Sequence, residues 1–127
     1  MQMRLLRAIQ VLVLLVGVGI GAYHLFFASL AIFVFRDSEP WTSWAAVLLG
    51  PGATLIGVVV SFFSPRIGGV GLLTSATLAL LSFMLGEAGD VEHVRAFALG
   101  VTLPMAALGA ATLAISRRRN VLATASQ

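Results

Sequence analysis

The sequence contains no cysteine and no lysine, and from Trp44 to Leu85 it contains one charged residue, Arg66. Without cysteine there is no disulfide, no thiolate nucleophile, no iron–sulfur cluster and no cysteine-ligated zinc. Charged residues make up 10% of the 127, and 59% are hydrophobic. Soluble domains carry about 25% charge, so the composition defines an integral membrane protein. Its positive charge rests on eight arginines, set against five acids. These arginines flank apolar runs and do not line a solvated face with aromatics between them, which excludes a nucleic-acid partner and leaves the lipid bilayer as the expected one.

A bilayer core of about 30 Å is crossed by about 20 helical residues. The run from Trp44 to Leu85 is about twice that length and must fold back on itself. The break belongs at Ser64-Pro65-Arg66, where proline removes a helix donor, its predecessor is pushed from the α region, and arginine is costly in hydrocarbon. Pro65, Arg66, Gly68 and Gly69 are then the hairpin residues, with the two glycines letting the chain turn and Arg66 pinning the turn to the membrane surface. The expected architecture is all-α: a single domain over residues 1–127 with four transmembrane helices at about 8–33, 44–63, 67–85 and 94–115. Arg4 and Arg7 ahead of an apolar stretch resemble a signal peptide, but the apolar character runs on to Phe35, so the first segment reads as an uncleaved span.

Arginine bias sets the orientation. With the N-terminus cytoplasmic, Arg4, Arg7, Arg66, Arg117, Arg118 and Arg119 lie inside, and only Arg36 and Arg95 outside. Asp37, Glu39, Glu87, Asp90 and Glu92 then all fall in the two outer loops, and Trp41 and Trp44 sit at the outer mouth of the second span. Both termini are expected in the cytoplasm, the membrane being a bacterial plasma (inner) membrane.

The inner halves of the second and fourth spans align at an offset of 52, "IGVVVSFFSPR" (from Ile56) with "LGAATLAISRR" (from Leu108). Pro51 and Pro104 should kink these two helices. Gly17 and Gly21 form a Gly-xxx-Gly pair, and Gly100, Gly109 and Ala106, Ala107, Ala110 and Ala111 make the fourth span small on more than one side. Such residues suit a close bundle, a homo-oligomer or a larger membrane complex.

Polar side chains within the spans are sparse, and hydroxyls there bond readily to the preceding turn of their own helix. "TSAT", Thr74 to Thr77, is the densest set and suits a hydrated cleft. His24 is the one readily ionisable side chain that falls well within a span, which makes it the functional candidate by default. Its neighbours Tyr23 and Phe26 also fit an interfacial aromatic belt. Two histidines in one leaflet, His24 and His93, could grip a haem from two helices, and "GEAGDVEHVR" gathers Glu87, Asp90, Glu92 and His93 as potential cation ligands. The simpler reading of that loop is a solvated one, with Glu92 favouring a helix dipole. No catalytic, cofactor or metal site is assigned.

The hairpin "FFSPRIGGVGLL" and the fourth span "ALGVTLPMAALGAATLAISRRR" resemble a group of small, uncharacterised bacterial four-helix membrane proteins, a likeness that implies a fold and no activity. The small multidrug-resistance transporters are similar in size and span number, but their first-span glutamate has no counterpart here. DoxX-like proteins are similar in size without a shared motif. The expected function is a non-enzymatic structural or accessory membrane component; the alternatives are a small-solute transporter or channel subunit and a redox or lipid-handling accessory.

Overall fold

The computed structural model describes residues 1–34, 41–86 and 91–125. All regular structure among them is helical, and four helices are long and apolar enough to cross a membrane. The first runs Gln2–Val34. The second is continuous through Trp41–Val47, a π turn at Leu48–Gly52 and Ala53–Phe63. The third is Pro65–Gly86, and the fourth runs through Val91–Phe97, a π turn at Ala98–Thr102 and Leu103–Ala125.

The first and fourth helices outrun their apolar spans. At 33 residues the first is about 50 Å long against a hydrocarbon core of about 30 Å. Arg4 and Arg7 are inside it. The fourth carries Arg117, Arg118 and Arg119 in its interior and ends only at Ala125. Hydropathy marks where the chain leaves the lipid, whereas a helix stops at a breaker, and no glycine or proline follows Gly109.

The hairpin differs from the sequence expectation in one respect. The break is a single residue, Ser64, at φ −136° and ψ 89°. Pro65 opens the third helix, where its missing N–H costs nothing and its fixed φ suits helix, and it holds Ser64 in the extended region. Ser64 serves both helices: its N–H donates to the Val60 carbonyl at 2.7 Å and its carbonyl accepts from the Gly68 N–H at 2.9 Å. Gly68 and Gly69 therefore do not turn the chain; they lie buried inside the third helix. A Cβ on Gly68 would collide with the backbone of Ser61, and one on Gly69 would come within 3.0 Å of the Gly109 carbonyl oxygen. They are glycine because backbones touch there.

Pro51 and Pro104 do not break their helices. Pro51 lies inside one π turn and Pro104 two residues beyond the other; across them the Ala53 N–H reaches the Leu48 carbonyl and the Leu103 N–H reaches the Ala98 carbonyl, five residues back. Widening by one residue is a common way for a helix to absorb a lost proline donor. The two π turns are 50 residues apart, so the offset of 52 between the inner halves does not extend to them.

Neighbouring helices in sequence are neighbours in space, and the first also packs on the fourth, giving an up-and-down bundle in which the third helix lies along both the second and the fourth. Each helix contributes to one core: Val13 and Leu14 pack against Val58, against Leu72 and Ala76, and against Met105 and Leu108. Gly17 and Gly21 face the second helix, at Val58 and Leu55 respectively, so this glycine pair is used within the bundle. At the end opposite Ser64, Phe83 stacks on Phe97 with centroids 4.3 Å apart and planes at 9°, tying the third helix to the fourth.

Candidate functional site

Residue His24 is half-buried in the C-terminal half of the first helix. Its ring meets Tyr23 edge-on at 5.3 Å, Tyr23 continues to Phe27 at 4.8 Å, and Phe27 to Phe26 at 5.3 Å. Tyr23, Phe26 and Phe27 are exposed, so this aromatic run faces away from the bundle. Counted from Ala8, where the apolar span begins, His24 lies about 24 Å along the helix, close to the far edge of a core of about 30 Å. An aromatic belt occupies that depth. We expect His24→Phe to leave melting temperature and cellular phenotype nearly unchanged and His24→Ala to lower stability through lost packing. Equal, severe loss in both would mark a lone pair or a proton as essential.

The acidic loop is only partly placed. Arg36, Asp37, Glu39, Glu87 and Asp90 lie outside the described residues; Glu92 and His93 are exposed in the first turn of Val91–Phe97. Among the described residues no three acidic or histidine side chains gather around a common point.

The bundle interior uses its hydroxyls locally. Thr54 Oγ1 donates to the Gly50 carbonyl at 2.9 Å, Ser61 Oγ to Val58 at 2.8 Å and Thr112 Oγ1 to Leu108 at 2.7 Å. All three are buried and satisfied by their own helix. The Thr74 to Thr77 set does not line an interior cleft: Thr74 and Thr77 are exposed, Thr77 bonds back to Leu73 at 3.1 Å, and only Ala76 of the four is buried. Where the π turns face each other the space is filled, since a Cβ on Gly50 would stand 3.0 Å from Val101 and 3.7 Å from Ala79. Among the described residues three buried polar atoms stand without partners, namely Thr42 Oγ1, Thr102 Oγ1 and Gln10 Nε2.

Two polar concavities lie at the Ser64 end. One, of about 500 Å³, is lined by Arg4, Arg7, Gln10 and Arg119 together with Phe62 and Phe63. A second of about 460 Å³ shares Phe63 and Arg119 and adds Ser64, Arg66, Ser116 and Asn120. Hydropathy and arginine counting place these arginines at one membrane face but do not bring them together; antiparallel packing does.

Comparison of the chain with protein-family models, with curated proteins and with solved structures found no significant match. Fold and geometry thus define the chain as an all-helical bundle of multi-pass membrane character, and its role has to be argued from its own residues.

Proposed function

We propose that this chain is a non-catalytic structural or accessory component of a bacterial plasma membrane, with both termini in the cytoplasm. The observation that carries the reading is the interior: Val58, Leu72, Ala76 and Met105 fill the centre at 2% exposure or less, and the buried hydroxyls of Thr54, Ser61 and Thr112 are bonded to their own helices. A transporter or channel subunit needs a hydrated or charged route through the bundle, and ionisable groups inside a membrane mark such routes. Among the described residues the centre has neither. The orientation is supported by the clustering of Arg4, Arg7, Arg66 and Arg119 at the end of the bundle that also holds Ser64.

Reconstitution tests this reading. Liposomes containing the purified protein should leak ions and small solutes at the rate of empty liposomes, and in native membranes the chain should migrate as part of an assembly larger than itself. Protein-dependent flux would overturn the accessory reading in favour of transport.

A further inference from the structure

The start of the first helix places Arg4, Arg7 and Gln10 at successive spacings of three, on one face. That face meets Phe62 and Phe63 at the end of the second helix and Arg119 of the fourth, and the cavity of about 500 Å³ lies between them. Small-molecule sites span about 300–1,000 Å³. Three arginines therefore line a space large enough for a ligand.

No acidic side chain among the described residues neutralises them. Glu92, the only acid among the described residues, lies in the first turn of Val91–Phe97, at the other end of the fourth helix from Arg119. Helix stability does not explain Arg4 either, because the first turn of a helix is its positive end and disfavours a cation. Gln10 borders the same cavity, but its amide nitrogen is buried away from the open space. Convergent cations without a counter-charge call for an anion with several acceptor oxygens.

We infer that this cavity binds a phosphate group supplied by the head group of an anionic phospholipid. Arginine forks match phosphate oxygens in pairs. The lipid is favoured over soluble phosphate because Phe62 and Phe63 give the cavity an apolar wall at the end of membrane-crossing helices. Basic pockets between such helices hold anionic head groups. The adjoining cavity, with Ser64, Ser116 and Asn120, offers hydrogen-bonding partners for the rest of the head group.

The test is a titration of delipidated, full-length protein in detergent, followed by melting temperature. The ligands are short-chain phosphatidylglycerol, phosphatidylcholine of equal chain length, and inorganic phosphate. Phosphatidylglycerol should raise the melting temperature saturably, and the other two should not. A matching response to inorganic phosphate would overturn the lipid source, and a matching response to phosphatidylcholine would overturn the role of net charge. Arg7→Gln combined with Arg119→Gln should abolish the response. Arg4→Gln alone should shift the midpoint about tenfold, as expected for one lost hydrogen bond to a charged group. Arg117→Gln combined with Arg118→Gln, whose side chains line a different cavity, should leave it intact. An unshifted midpoint in Arg4→Gln, or equal loss in the Arg117 and Arg118 variant, would overturn the site.

Discussion

Replacing Gly68 by leucine is expected to prevent the second and third helices from closing, with loss of a folded, monodisperse species in detergent. Inserting methylenes into a packed core costs about 1–3 kcal/mol when neighbouring side chains can yield. Here they cannot, because a Cβ at position 68 would run into the Ser61 backbone, which is itself held in helix. Gly68→Ala should already fall at or above the top of that range. The control is Gly71, three residues on in the same helix, with nothing within 4 Å of its Cβ position. Gly71→Ala should be neutral or stabilising by up to about 1 kcal/mol, the helix-propensity gain of alanine over glycine. Thermal melts of the three variants decide the matter: a Gly68→Leu protein that melts like the parent would show that this close approach does not hold the hairpin.

The second large effect is expected at Leu72, which has no exposed surface and packs among Val58, Ala76, Met105 and Leu108. Leu72→Ala should destabilise by about 2–5 kcal/mol, because the side chain's packing is removed and a cavity is left behind. Atoms lining a void forfeit their dispersion attraction in lipid as they do in water. Gly57 makes the test sharper, since a Cβ there would press on Leu72 Cγ and Cδ2, the atoms that alanine at 72 removes. Gly57→Ala should therefore destabilise the parent but partly restore Leu72→Ala, with a coupling of about 1 kcal/mol or more in the double-mutant cycle. Strict additivity would show that the two side chains do not share this space.

These two predictions separate what could be read in the sequence from what could not. Four apolar runs and the interruption at Ser64-Pro65-Arg66 were legible because bilayer thickness and proline chemistry act locally. The role of Gly68 and Gly69 was not, because a glycine after a proline looks like turn chemistry until a partner helix is seen lying against it. Pro51 and Pro104 marked where the second and fourth helices leave regular α geometry, but the π turn found at each depends on which donors the neighbouring residues supply. At the Ser64 end, the arginines were visible one at a time. Their convergence with Gln10 and Phe62 is a product of packing between chain segments more than 50 residues apart, and no local pattern encodes it. His24 stood out only because histidine is rare in a span; the ring contacts it shares with Tyr23 and through it with Phe27 come from neighbouring positions on one helix.

The absence of native cysteine makes the most direct measurement clean. Single cysteines placed at Ser38, Gly89 and Ser126, positions outside the described residues, report on the two connections at the acidic end of the bundle and on the C-terminal tail. If four helices cross the membrane with the arginine end in the cytoplasm, an impermeant thiol reagent added to intact cells labels Ser38→Cys and Gly89→Cys, and labels Ser126→Cys only after permeabilisation. Labelling of Ser126→Cys in intact cells, or of only one of the other two, would contradict it.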